Sequence, residues 1–390
     1  MDRSLLGGLK DLISGRETIK IGVIASLAGP LSYYATMQTR GLKLGIKYAT
    51  KGTGKVADLE IELIIDDDAG DPGYGGQKAR SLIEDRGIDI LQGSTSSAVT
   101  IVISKIAEEY KRLLVVEPAA ADSITGEHFN RYIFRTSATT WQDAAAGGKY
   151  AVDNLGRTFA FIAPDNIWGQ QSNNAWKSVI ENNGGETLIE VLAPGNTQDF
   201  HPFLETIINT QPDVLVQSWA GAGNRELFSA MRDKGIFTRM RVTGGLGDRE
   251  ARHALGQDAV GMIGAIKYSY LLPDNPINDW LKVNHFNEYG EYPDLFTGGG
   301  FAAGVAIVEA LKKTEGSSNP EDMIPVMEGM SFEAAKGRYT FRKEDHQALQ
   351  PMYVVEMVSD PDQEQPWSIP KLIHDTTPEE TAPPVSVKAG

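Results

Sequence analysis

Short apolar runs alternate with amphipathic stretches along most of this chain. Ile19–Ser26 predicts a buried strand, and Leu27–Tyr34 behind it a loop rich in small and hydroxyl residues. A helical pattern follows through Ala49, then a second apolar run, Leu59–Ile65, which stops at Asp66, Asp67 and Asp68. A further helix leads to a strand at Ile88–Gly93. This alternation runs to Phe134 and resumes after Arg135–Thr140. Thr158–Ala163, Thr187–Leu192 and Val214–Gln217 then predict strands, with helices over Trp168–Asn183, Phe200–Thr210 and Asn224–Lys234. Asn275–Tyr289 and Phe296–Lys313 predict two helices with no strand between them, and Gly337–Phe341 and Tyr353–Val358 late strands. Apolar strands of this length, separated by helices, imply parallel sheets covered on both faces. Two successive blocks imply two similar α/β lobes. In such sheets ligands sit outside the carboxyl ends of the strands, which directs attention to loops 27–34, 94–98 and 118–122.

The flanks differ. Leu5, Leu6, Leu9, Leu12 and Ile13 give residues 1–17 an amphipathic lead-in pattern without the apolar core of a signal peptide. An export signal is expected to have been removed ahead of Met1. Residues 376–390, rich in Pro, Glu and Thr, predict a flexible tail.

A length of 390 residues favours two cores over one. No apolar stretch is expected to reach the roughly 20 residues that span a bilayer. The net charge of −15 argues against nucleic acid or an anionic membrane as partner. With no cysteine, disulfides and thiolate chemistry are excluded, and the compartment leaves no redox mark. The histidines, at 128, 201, 253, 285, 346 and 374, stand singly, without metal-ligand spacing. Asp66–Asp68 resembles a metal cluster, but only alternate strand residues share a face, so the structural reading is favoured. Gly298–Gly300 fits neither a phosphate-binding nor a dinucleotide fingerprint, and no nucleophile–base set assembles. No enzyme activity and no cofactor are expected.

Several pieces, in order and spacing, carry a resemblance. They are Ile19–Pro30, Asp66-Asp67 before Asp71-Pro72, Gly93 with Ser96 and Ser97, Pro118–Ala120 and Phe134–Thr136. Trp168–Gln170, Asp199-Phe200, Pro212-Asp213 and Glu288–Phe296 complete the set. Together they make the chain similar to the periplasmic substrate-binding proteins of bacterial ABC importers, of the leucine/isoleucine/valine-binding type, over roughly residues 18–360. The resemblance implies the two-lobed type I periplasmic-binding-protein fold, with three hinge crossovers and the ligand closed between the lobes. Lobe 1 is expected from 18–137 plus 271–342, and lobe 2 from 138–270 plus 350–375. The crossovers are expected near Ser137–Thr140, Ser269–Pro273 and Arg342–Met352. It also implies an extracytoplasmic monomer that hands a small molecule to a membrane permease.

The loop Gly93–Ala98 sits between strand and helix, where backbone N–H groups and small hydroxyls suit a carboxylate. By resemblance, Ser97, with Ser96 next, and the loop Ala119, Ala120 and Ala121 grip the ligand's α-carboxylate. Capping of the following helix by these serines is the competing role. The family often has a threonine where Ala121 stands, so here only backbone groups are available. Trp168 replaces a tyrosine that closes over the ligand, and Trp219 lies past another strand end. Helix-start packing is the alternative for Trp168. Ser32 and Tyr33 fall in the first loop, which shapes the side-chain pocket in the family. One departure bears on ligand class. The acidic residue that pairs with an amino acid's ammonium is missing early in Thr243–Asp248, and Asp248 comes a few residues late. Either Asp248 takes that role through a shifted loop, or the ligand lacks an α-ammonium and is an aromatic or other carboxylate. Amino acids of the branched-chain type rank first. A sensory domain of the same fold is the other functional class.

Overall fold

The computed structural model describes residues 17–360 and 368–387. The lead-in expected over 1–17 therefore lies, apart from Glu17, outside the described residues.

The chain begins with β1 (Thr18–Ala25), α1 (Ser32–Ala49), β2 (Lys55–Val56), β3 (Leu59–Asp67) and α2 (Pro72–Glu84). β4 (Ile90–Gly93), α3 (Ser97–Glu109), β5 (Leu113–Val116) and β6 (Ile133–Arg135) follow. Next come α4 (Thr140–Asn154), β7 (Thr158–Pro164), α5 (Ile167–Asn182), β8 (Glu186–Ala193), α6 (His201–Asn209) and β9 (Val214–Gln217). α7 (Asn224–Asp233), α8 (Ile236–Arg239), β10 (Arg241–Gly244), α9 (Arg249–Leu255) and β11 (Ile263–Ile266) complete the middle. The last third holds α10 (Pro276–Tyr289), α11 (Leu295–Lys313), α12 (Pro320–Met327), β12 (Ser331–Ala334), β13 (Gly337–Phe341), β14 (Ala348–Leu349), β15 (Met352–Ser359) and β16 (Ser368–Thr376).

Two compact units result. Among the described residues, unit 1 comprises 17–137, 273–350 and 384–387, and unit 2 comprises 138–272, 351–360 and 368–383. Unit 1 carries a six-stranded sheet in the order β2-β3-β1-β4-β5-β6, parallel except for the β2–β3 pair. β1 has β3 on one side and β4 on the other, so the winding reverses between β1 and β4, and a crevice opens at their carboxyl ends. β4 and β5 are buried at every position, as strands covered by helices on both faces must be. Unit 2 repeats the scheme with a parallel sheet β10-β9-β7-β8, whose reversal lies between β7 and β9. An antiparallel sheet β11-β15-β16 completes it.

Two glycines end strands in close approach to a neighbouring strand, Gly93 beside β1 at the unit 1 reversal and Gly244 beside β9, one strand away from the unit 2 reversal. Gly93 ends β4 with φ +128°, and a Cβ there would stand 2.0 Å from Ile24 O. Gly244 ends β10 with φ +142°, and a Cβ there would stand 2.2 Å from Gln217 O. Only glycine satisfies both conditions at either point.

Four more glycines set the closest helix contact in unit 1. Cβ atoms on Gly41 and Gly45 of α1 would lie 2.2 Å from the carbonyls of Thr297 and Phe301 in α11. Those on Gly300 and Gly304 would lie 2.1 and 2.6 Å from the carbonyls of Gln38 and Leu42. The spacing of four on each helix lets the two backbones touch. α11 corrects one expectation, since its 19 residues are long and apolar enough to span a membrane. It is instead 72% buried inside unit 1, a core helix whose alanines and glycines reach the packing of larger side chains.

Other differences are local. Ser32, Tyr33 and Tyr34 form the first turn of α1 rather than a loop, because no breaker follows Pro30 and the Ser32 N–H bonds Gly29 O at 3.2 Å. β3 extends through Asp66 and Asp67. β16 is a strand that Pro370 and the charged Lys371 and Asp375 conceal in the sequence. Within the expected tail, Thr377–Thr381 form a turn in which the Thr377 N–H donates to Glu380 and the Glu380 N–H to Thr377 Oγ1, and the Thr381 side chain is fully buried.

Candidate functional site

In unit 1 the carboxyl ends of the strands are laced by buried side chains. Asp67 Oδ1 accepts the N–H groups of Leu27, Ala28 and Ala69, at 2.8, 3.3 and 2.8 Å. Fully buried Asp68 accepts the Ser26 hydroxyl at 2.6 Å, the Gly70 N–H at 2.7 Å and the Ser94 hydroxyl. The acidic run therefore fixes the loops after β1 and β4; it holds backbone and hydroxyl donors where a metal reading would need open carboxylates.

The candidate serines open α3. Ser96 is its N-cap, with Oγ 3.5 Å from the Val99 N–H. Ser97, buried in the first turn, accepts the Ala121 N–H at 3.2 Å, which leaves its own O–H to donate. Ala119 donates its N–H to Ser94 O at 3.3 Å, and its carbonyl accepts the Ser137 hydroxyl at 2.6 Å. Among the described residues the Ala120 N–H makes no hydrogen bond, although Ala120 is 4% exposed. Ser96, Ser97 and the three alanines thus converge on one rim. There the dipole of α3, a hydroxyl and an unpaired amide suit an anion.

Behind the alanine loop stands Arg135, fully buried at the end of β6. It donates to Ala121 O at 2.6 Å, to Gln347 Oε1 at 2.5 Å and to Thr125 Oγ1. Burial pushes its guanidinium down to about 10, against the nearby charges of Asp122, Asp345 and Glu117, so it stays cationic at neutral pH. In the sequence Arg135 stands out only within the piece Phe134–Thr136. A lone arginine closing an apolar strand, Ile133–Arg135, is the signal that it must find buried acceptors.

Ser32 and Tyr33 sit at the start of α1. The Tyr33 hydroxyl donates to Asp294 Oδ2 at 2.8 Å, and Tyr34 packs edge-on against Phe296 with centroids 4.8 Å apart. Ser32 O accepts the Thr36 hydroxyl at 2.9 Å.

In unit 2, Trp168 occupies the second position of α5, half-buried, behind the N-cap Asn166, whose Oδ1 accepts the Gly169 N–H at 2.9 Å. Trp219 follows β9. Its indole N–H donates to Ala222 O at 2.9 Å, and its ring stands edge-on to Phe200 at 4.7 Å. What Trp219 can offer a ligand is ring surface rather than its donor. A hydroxyl contact of 2.8 Å between Ser172 of α5 and Ser218 joins the two tryptophan-bearing segments. Asp248 is buried as the N-cap of α9, with Oδ1 accepting the Ala251 N–H at 2.9 Å. Leu246, near where the family has its acid, is 5% exposed and donates its N–H to Ala265 O at 2.7 Å. One charged pair was not anticipated: Lys267, just past β11, stands 3.0 Å from Asp143 of α4. Its signal is a lysine placed directly after the apolar run Ile263–Ile266.

A cavity of about 780 Å³ in unit 2 lies elsewhere, lined by Leu155, Pro212, Phe237 and Arg241 among others. Those residues precede β7, β9 and β10, so it opens at the amino-terminal edge, away from the candidate loops.

Comparison with known proteins agrees with this arrangement. The profile of the family described as periplasmic binding protein matches residues 18–362. The Leu/Ile/Val-binding protein homolog 6 of Brucella melitensis is 24% identical over 349 residues, covering 87% of this chain and 88% of its own. A solved structure of an ABC-type branched-chain amino acid transporter from Rhodopseudomonas palustris is 36% identical, with a TM-score of 0.82 over 95% of this chain and 100% of its own. A solute-binding protein of an ABC transporter from the same species, in complex with 3,4-dihydroxybenzoic acid, shares the fold at 24% identity and a TM-score of 0.85, over 93% and 98% of the two chains. With a two-unit α/β architecture and a family match over nearly its whole length, the chain belongs to the periplasmic binding protein family.

Proposed function

We propose that this protein is an extracytoplasmic solute-binding protein that captures a small carboxylate and delivers it to the permease of an ABC importer. The observation that carries the reading is the rim of unit 1. Ser97 Oγ holds the Ala121 N–H while the Ala120 N–H is left for an incoming acceptor, beside the start of α3. A carboxylate there gains charge-assisted hydrogen bonds from these donors. In unit 2, Trp168, half-buried at the start of α5, offers an apolar ring face. Capture proceeds by closure about the chain crossovers, with ligand favouring the closed state. Hinge closure is checked by a ligand-dependent fall in the radius of gyration in solution scattering.

An amino acid of the branched-chain type is the first reading of the ligand, with Asp248 as the partner of its ammonium. A second reading, an aromatic carboxylate, is favoured by the buried Leu246 and by the capping role of Asp248. A relative of the same fold binds 3,4-dihydroxybenzoic acid. Calorimetric titration with L-leucine, 4-hydroxybenzoate and their amides decides. Binding of the acids and not the amides supports carboxylate capture; binding of neither acid nor amide counts against it.

A further inference from the structure

The alanine loop is held from behind by a buried brace that reaches both places where the chain leaves unit 1. Arg135 grips Ala121 O at 2.6 Å and Gln347 Oε1 at 2.5 Å. Gln347, fully buried, donates its Nε2 to Ser137 O at 2.9 Å, and Ser137 in turn donates its hydroxyl to Ala119 O at 2.6 Å. Three residues on, Gln350 donates to Thr136 O at 2.8 Å. The chain passes out of unit 1 after Ser137 and again after Gln350. A closed circuit therefore runs from Ala121 through Arg135, Gln347 and Ser137 back to Ala119.

A simpler device would suffice to fill this space. A buried guanidinium carries a desolvation penalty that a well-packed apolar side chain avoids. What the guanidinium adds is direction, since its planar fork fixes the planes of the groups it donates to. Its Nη1 holds the Ala121 carbonyl from one side while Ser97 Oγ holds the Ala121 N–H from the other. The Ala120 N–H shares its peptide plane with the Ala119 carbonyl, which the Ser137 hydroxyl holds, so it is oriented without being used.

We infer that Arg135 and Gln347 are positioning residues for the ligand. They set the orientation of the Ala119–Ala121 amides and tie that loop to the two segments by which the chain leaves unit 1. The inference rests on the proposed function and names residues whose effect is transmitted through backbone rather than by contact.

The test uses the full chain with Arg135→Met, Arg135→Lys and Gln347→Met, beside Ile180→Ala as a variant in the separate core of unit 2. Three quantities are read: amide hydrogen exchange of ligand-free protein over 119–124, the melting midpoint, and calorimetric affinity for L-leucine and 4-hydroxybenzoate. Arg135→Met is expected to raise exchange in 119–124 by about tenfold over β4 and β5, and to weaken binding by about tenfold. Arg135→Lys, which keeps a cation able to reach one acceptor, recovers part of both. Ile180→Ala lowers the midpoint but leaves affinity within about twofold. If affinity simply follows the midpoint across all four variants, or exchange in 119–124 stays at the wild-type rate, the positioning role is overturned. Should Arg135→Met fail to fold, Gln347→Met, uncharged and similar in length, carries the same comparison. If wild type binds neither probe, carboxylate capture fails, while the exchange measurement still decides the brace.

Discussion

Ser97 Oγ accepts the Ala121 N–H at 3.2 Å, so a residue of α3 and a loop 24 positions later are pinned to each other across the ends of β4 and β5. The hydroxyl has one lone pair engaged and one hydrogen to give. Of the two roles open to these serines in the sequence, capping belongs to Ser96.

Ser97→Ala removes both the loop tie and the proposed donor to the ligand. A lost hydrogen bond to a charged group costs about 1.5–3 kcal/mol, so calorimetry should find affinity lower by roughly one to two powers of ten. The fold should persist, since Ser96 keeps the cap. Unchanged affinity would remove Ser97 from the site.

Asp248→Asn separates the two ligand classes with little disturbance to stability, because Asn caps a helix about as well as Asp. If an amino acid is held through Asp248, affinity should fall by about 2 kcal/mol or more. If affinity holds and a deaminated analogue binds equally well, the ligand is not held through an ammonium.

Gly300→Ala places a methyl 2.1 Å from Gln38 O, a backbone atom that no rotamer change can move aside. Overpacking of this kind costs about 1–3 kcal/mol or more. The expected result is a clearly lower melting midpoint, and a midpoint equal to wild type would show that α1 and α11 can separate freely.

His346 gives a pH dependence whose sign can be worked out. Burial holds its imidazole below the ordinary value of 6.5, against Glu328 at 3.5 Å, nearby Asp345 and the Nδ1 contact with Ile133 O. Its ring lies stacked on Phe134, with centroids 3.9 Å apart. The unfolded chain then binds the proton more readily than the folded one. Stability is full above about pH 6.5 and declines as pH falls from there toward the folded value. Urea midpoints at about pH 7.5 and 5.5 should differ, and His346→Gln should shrink the difference. Equal slopes for wild type and variant would place the titration elsewhere.

Much of unit 1 is legible in sequence because its strands are short apolar runs with polar ends, and because Gly93 and the serines sit where strand turns to helix. The β16 strand is not legible, since pairing with β15 alone justifies Pro370 and Lys371 there. α11 is legible as a helix over Phe296–Lys313, but the use of its glycines is not, because their close approach to α1 joins segments about 260 positions apart. At the rim, the strand-to-helix loop Gly93–Ala98 is legible from local pattern, whereas Ser97 and Ala119–Ala121 are singled out within the loops only through the family resemblance. Arg135 and Gln347 cannot be paired that way, because 212 positions separate them and only the fold brings them together.

The discontinuous course of the chain has a consequence for biosynthesis. Unit 1 needs α11 and β12–β14 from the last third, and unit 2 needs β15 and β16, which come later still. Neither unit corresponds to a contiguous fragment. β1–β6 and β7–β10 are each contiguous, but a ribosome must release almost the entire polypeptide before either unit can be completed, and a stop codon placed anywhere before residue 368 deprives unit 2 of the outer strand of its antiparallel sheet. Pairings of such long sequence separation form slowly, so the nascent protein spends its assembly in partly built forms.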